Sequence, residues 1–300
     1  MLKVAYSKIY KHPLPLNHRF PMEKYDLIPK KLISENTLSK ENFFEPGLIK
    51  EEDIFLTHCK KYYEKLISQS LSAKEIRPIG FPMSELLIER EKKIAQGTIQ
   101  CTKFSLKNGI SMNIAGGTHH AFYDKAEGFC MLNDQAIAAN YLLNNGLAKK
   151  ILIIDLDVHQ GNGTASIFND NENVFTLSFH GKKNYPFKKE KSDLDVEFDD
   201  EADDSEYLKK LENVIPNLIH NLKPDFIFYL SGVDILKTDK LGRLGLSIEG
   251  CKKRDLFILS ICKLYNIPLQ ISMGGGYSEN IKDIIEAHCN TFRLGKDIYF

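Results

Sequence analysis

Tryptophan is absent from this 300-residue chain, and its six cysteines are scattered. Cys59, Cys101, Cys130, Cys251, Cys262 and Cys289 form no Cys-x-x-Cys pair, so they read as reduced, mostly buried thiols of a cytoplasmic protein. An excess of either charge is lacking as well, since 40 Lys+Arg face 40 Asp+Glu. With no global field, neither nucleic acid nor an anionic membrane is expected as a partner, and any macromolecular substrate has to be recognised locally. No run approaches the roughly twenty apolar residues of a membrane span. The N-terminal residues lack the apolar stretch and small-residue cleavage site of a signal peptide. Internal repeats and low-complexity linkers are missing too, so residues 1–300 are expected to form one domain.

What is present is an alternation. Short apolar or β-branched runs at 4–7, 110–115, 151–158, 174–179, 226–231 and 268–273 read as strands. Amphipathic patterns at about 51–70, 84–107, 133–145, 205–221, 249–265 and 279–291 read as helices between them. Such a chain is expected to fold as a three-layer α/β domain, a mostly parallel sheet with helices on both faces. Two stretches fit less well. Residues 8–48 show few periodic runs and are expected as surface loops. Residues 181–204 are a polar connection with a basic and an acidic half. They read as a solvated face or, because they follow a strand, as the rim of a pocket.

Four strand ends carry unusual residues. The run 151–159 breaks from apolar residues into Asp155, Asp157 and His159, whose period-two spacing projects all three to one side of an extended strand. Unpaired buried charge is costly, so these groups need a divalent metal or salt-bridge partners. GlyGlyThrHisHisAla (116–121) delivers His119 and His120 after a glycine turn. SerGlyValAsp (231–234) puts Asp234 past another strand, and MetGlyGlyGlyTyr (273–277) delivers Tyr277. If they converge, Asp157, His159 and Asp234 make a three-ligand site with room for water, suited to zinc and also to Fe(2+). Paired histidines and a phenol beside it describe hydrolysis of an amide or ester carbonyl.

These motifs, with GluGlyPheCysMetLeuAsnAsp (127–134), GlnGlyAsnGly (160–163), AsnTyrProPhe (184–187) and the stretch 232–244, resemble the zinc-dependent histone deacetylase family, nearest its class IV branch and bacterial relatives. The resemblance spans nearly the whole chain and implies the arginase/deacetylase fold. It also implies Zn(2+) at Asp157, His159 and Asp234. By the same resemblance His120 is the general base and acid, and His119 its electrostatic partner. Asp155 orients His119 and, with Ser178 and Phe179, forms a structural K(+) site. Phe129, Gly128 and Gly276 line an acyl-lysine tunnel, and Tyr277 polarises the carbonyl. Where better-known relatives back the second histidine with Asp, this chain has Asn162. A neutral amide raises the imidazole pKa less, so wild-type activity is expected to reach lower pH than in an Asn162→Asp variant.

The implied substrate is an acylated lysine in a protein or peptide. An acylated small amine such as an acetylpolyamine, or a small acetylated metabolite, is the alternative, and a non-catalytic acyl-lysine binder a further one. A binuclear manganese site is disfavoured, because Gln160, Asn162 and Thr164 stand where extra carboxylates would be needed. Acyl length and oligomeric state are not written in the sequence.

Overall fold

Strand β4 (Ile151–Asp155), IleLeuIleIleAsp, is buried at every position and has strands on both edges, as its apolar composition requires. It lies inside an eight-stranded sheet of a computed structural model that describes all of residues 1–300. The other strands are β1 (Lys3–Ala5), β2 (Phe43–Phe44), β3 (Ile110–Asn113), β5 (Val174–Gly181), β6 (Leu194–Phe198), β7 (Phe226–Leu230) and β8 (Leu269–Ser272). Their order is β2-β1-β3-β8-β7-β4-β5-β6, and every neighbouring pair is parallel.

Helices cover both faces. On one, helix Glu85–Asn108 packs against Asp134–Asn144, and its Gly97 lies beside Asn113 of β3. On the other, Ile281–Tyr299 sets Gly295 against Ile110 and Met112 and packs on Ile248–Leu264 and Lys24–Ser34. Ile110 and Met112 alternate with Asn113 in direction, which is why one strand serves both layers. A single cluster of 75 buried residues links the layers, so there is one core. No helix is long and apolar enough to cross a membrane.

All-parallel pairing puts the C-terminal ends of β3, β8, β7, β4 and β5 along one edge of the sheet. The loops after Asn113, Ser272, Leu230 and Asp155 therefore meet although they are distant in sequence.

Three expectations need correction. Within 8–48, residues Lys24–Ser34 form a helix that buries Tyr25, Ile28 and Leu32 at i, i+3, i+7 spacing, with Pro29 inside it. Residues 51–70 split into Glu51–Phe55 and Lys60–Ile67. Within 181–204, Leu194–Phe198 is the edge strand β6, and alternating charges hide its apolar Leu194, Val196 and Phe198.

Candidate active site

Strand β4 ends at Asp155, four residues earlier than an extended reading to His159 requires. Asp155 Oδ1 accepts the amide of Asp157 (3.1 Å), and Asp157 Oδ1 accepts the amide of His159 (3.0 Å). Each aspartate thus closes a turn on the backbone two residues on. The turns separate the three side chains that an extended strand would have kept together. Asp155 Oδ2 pairs with His119 Nδ1 at 2.6 Å, whereas Asp157 faces His159.

His159 Nδ1 lies 2.9 Å from Asp157 Oδ1 and 3.2 Å from Asp234 Oδ2. Asp234 is fully buried, and its Oδ2 accepts no hydrogen bond. A tetrahedral ion with bonds of about 2 Å spaces its ligands roughly 3.3 Å apart, so the three atoms fit a divalent cation. The charges agree. Burial and the adjacent Asp157 charge push Asp234 up to about 7. Burial works against a charged His159, but the hydrogen bond to Asp157 and the close carboxylates of Asp157 and Asp234 outweigh it and raise that imidazole to about 10. A cation would displace that proton.

The paired histidines differ. Burial opposes protonation of His119, yet the Asp155 charge and hydrogen bond hold its pKa above the ordinary value. His120 is pushed well below it by burial and by the charges of His119 and His159, so it is neutral. Its Nδ1 donates to Asn162 Oδ1 at 2.7 Å, which leaves Nε2 unprotonated. The Asn162 amide is itself fixed, because its Nδ2 donates to Glu127 Oε1 at 2.6 Å. A carboxylate only accepts, so Glu127 determines which end of the amide meets His120.

Tyr277 completes the group, its ring 6.3 Å from that of His159. Burial and the Asp234 and Asp157 charges hold its phenol well above the usual pKa, so it stays a donor. Asp239 places its backbone, accepting the amides of Tyr277 (2.6 Å), Leu241 (2.9 Å) and Gly242 (2.8 Å).

His119, His120, Asp157, His159 and Tyr277 line an inner chamber of about 40 Å³ with Phe20, Phe129, Gly274 and Gly275. The chamber opens past Phe129 and Gly128 into an outer cleft of about 620 Å³. Gly128 has φ +58°, and a Cβ there would stand 2.5 Å from His120 Cδ2, so only glycine fits. Gly276 is not on the lining. Its α-carbon faces Val233, Ile284 and His288 in the core, and Gly274 and Gly275 take its place. Ser178 lies opposite Asp155 in the β4–β5 register, with its hydroxyl 3.0 Å from His180 Nδ1. The Phe179 ring packs on Phe198 and Tyr207, so only its backbone is available to an ion.

With this arrangement in place, comparison with known proteins is specific. The histone deacetylase domain model matches residues 18–292. The chain belongs to the histone deacetylase family. It is thus a hydrolase of acyl-amide bonds. It is 39% identical, over 99% of both chains, to an uncharacterized protein of Picosynechococcus sp.. It is 30% identical to histone deacetylase 2 of Arabidopsis thaliana, over 89% of this chain and 72% of that protein. An acetoin utilization protein AcuC of Staphylococcus aureus is 27% identical over 91% of this chain and 77% of that one. Among solved structures, a histone deacetylase homologue complexed with SAHA shares the fold with TM-score 0.84 at 24% identity, covering 99% of this chain and 84% of that one. The HDA15 HD domain does so with TM-score 0.83 at 19% identity, covering 99% and 90%.

Several positioning residues of this enzyme were given no role by the sequence reading. Asp134 accepts the amides of Gly117 (2.8 Å) and Thr118 (2.9 Å) and so holds the turn before the histidine pair. Arg254, fully buried in a helix, donates to the carbonyls of Leu156 (3.1 Å) and Gly232 (2.6 Å), between the segments that carry Asp157 and Asp234. Its one signal was a cation on the apolar face of an amphipathic pattern. Gln160 ties the 181–193 loop to the site, bonding Glu190 O (2.7 Å) and Asp195 Oδ1 (2.8 Å).

Proposed function

We propose that the protein is a metal-dependent lysine deacylase that removes short acyl groups, acetyl above all, and that its GlnGlyAsnGly stretch (160–163) sets it in the class IV branch. The observation that carries this is one buried cluster. Asp157, His159 and Asp234 face a neutral His120, held by Asn162, with Tyr277 on the other side. Asp157, His159 and Asp234 would hold Zn(2+), with Fe(2+) compatible with the same donors. When bound, that ion supplies carbonyl polarisation and a more acidic attacking water.

The chain's own groups do the rest. The acyl-lysine stem passes Phe129 and Gly128, and the acyl carbonyl comes within reach of the Tyr277 phenol, which donates to the oxygen as charge develops. His120 Nε2 takes the proton of the attacking water and returns one to the leaving lysine amine. His119, protonated against Asp155, offsets charge beside the reaction centre. Asp155, Ser178 and Phe179 would hold K(+), bracing the turn after β4. A chamber of about 40 Å³ holds only a few water-sized groups, which favours acetyl over fatty-acyl chains. Six free thiols suit a reducing, cytoplasmic setting.

The test is a panel of peptides bearing lysine acylated with chains of increasing length, assayed with zinc-reconstituted enzyme beside Tyr277→Phe. Expected is a preference for acetyl and a loss of about a hundredfold or more in kcat for the variant. Near wild-type turnover by Tyr277→Phe refutes its role. Binding without hydrolysis of any acyl-lysine identifies a binder instead. Metal titration supplies a second readout, because zinc added to chelator-treated protein is expected to raise Tm, and to do so far less in Asp234→Asn.

A further inference from the structure

The outer cleft is cationic although the charges of the whole chain cancel. Arg19, Arg77, Lys183, Lys240 and Arg243 line it, and no Asp or Glu does. They come from four separate segments, so the ring exists only in the folded chain. Lys183 (3.6 Å) and Arg243 (2.7 Å) share the single carboxylate of Asp200. Arg19 lies over the Phe129 ring at 5.0 Å, and Arg19, Arg77 and Lys240 are exposed with no ion pair. The nearby Glu127 and Asp239 form no ion pair with them. Glu127 binds Asn162 and Lys125, and Asp239 is taken up by backbone amides. Phe187, 89% exposed beside Tyr185, adds an apolar platform at the same mouth.

We propose that this ring selects the carrier of the acyl group, an acylated lysine set in an acidic peptide segment, and disfavours cationic carriers such as acylated polyamines. The inference rests on the deacylase reading of the chamber below. Acylation neutralises the lysine itself, so the flanking residues decide the charge that the mouth meets. Cations on several sides of the opening meet acidic residues both before and after the acyl-lysine. The negative charge belongs on the carrier, because the ring is at the mouth and not at the chamber floor. Complementary charge of this kind raises the encounter rate and weakens as salt screens it.

The test compares acetyl-lysine peptides flanked by Glu, by Ser and by Lys, with an acetylated polyamine and a single-stranded RNA oligonucleotide as competitors. Two readouts are needed: kcat/KM of the zinc-loaded enzyme, and peptide binding by anisotropy to Tyr277→Phe. Exposed pairs are individually weak, so about a tenfold preference for Glu over Lys flanks is expected at low salt, carried by KM and collapsing at high salt. Arg77→Glu with Lys240→Glu should reverse the order of the peptides. Equal handling of the three peptides overturns the proposal, as does better use of the acetylated polyamine or tighter binding of RNA than of the acidic peptide. Absence of turnover with the binding preference intact overturns the deacylase reading and leaves the surface standing.

Discussion

Replacing Asn162 with Asp probes the device that sets the state of His120. In the wild type the amide donates to Glu127 Oε1 at 2.6 Å and accepts from His120 Nδ1 at 2.7 Å. Asn162→Asp puts an acceptor where that donor was. Two ionised carboxylates at 2.6 Å repel by about 6 kcal/mol at an effective dielectric constant of about 20. Taking up one proton at pH 7 on a carboxyl of pKa near 4 costs about 4 kcal/mol, so the pair protonates instead. The hydrogen bond thus regained only replaces the amide–carboxylate bond that the substitution removed, so a net loss of about 4 kcal/mol remains at neutral pH. The shared proton means a raised pKa in the folded state, so the loss grows as pH rises above about 4 and vanishes below it.

Glu127→Gln in the same chain restores a donor facing the new carboxylate. Urea unfolding of wild type, both single variants and the double variant at pH 7 and pH 5 should therefore show a coupling of about 4 kcal/mol at pH 7 and less at pH 5. Effects that add within about 0.5 kcal/mol, or do not change with pH, refute the reasoning. The expected pH dependence of Asn162→Asp activity changes as well, since the new charge is shared with Glu127 and does not act on His120 alone. Glu127→Ala has a catalytic counterpart. A freed amide turns its NH2 toward His120 and moves the imidazole proton to Nε2, so kcat should fall about tenfold with KM little changed.

His58 is buried, its Nδ1 2.9 Å from Phe122 O and its Nε2 accepting the Asn133 amide, and burial lowers its pKa to about 4. Its neutral form is the folded one, so stability should fall by up to about 3 kcal/mol as pH drops from 6.5 to 4; His58→Gln should flatten that part of the urea-stability profile. Arg254→Met leaves Asp255 and the carbonyls of Leu156 and Gly232 without their cation and should cost roughly 3–5 kcal/mol in urea unfolding; a loss under 1 kcal/mol contradicts that account. Gly128→Ala forces a Cβ against the His120 ring and should lower kcat/KM at least tenfold while Tm shifts by only a few degrees.

The local grammar of the chain was readable. Runs such as IleLeuIleIle are apolar enough to be central strands, and their abrupt end in Asp155 pointed to the ligand edge. The helix at Lys24–Ser34 was obscured by Pro29, although Tyr25, Ile28 and Leu32 carry helical spacing. Strand β6 was obscured because its solvent face is charged, as edge strands tend to be. The projection of Asp155, Asp157 and His159 to one side failed for a specific reason. Each Asp side chain captures a backbone amide two residues on and turns the chain.

Most of the elements, and the reactive side chains at their ends, are legible along the chain, because periodicity and turn chemistry act over a few residues. The side chains include His119, His120, Asp157, His159, Asp234 and Tyr277. What these side chains meet depends on the folded arrangement. The β7-β4-β5 neighbourhood brings Asp234 to His159, the turn that leads into Gly128 brings Glu127 to Asn162, and four distant segments place five cations around one opening. Hydrogen bonds and Coulomb forces act through space over a few ångströms, and strand order and loop paths alone set which residues come that close.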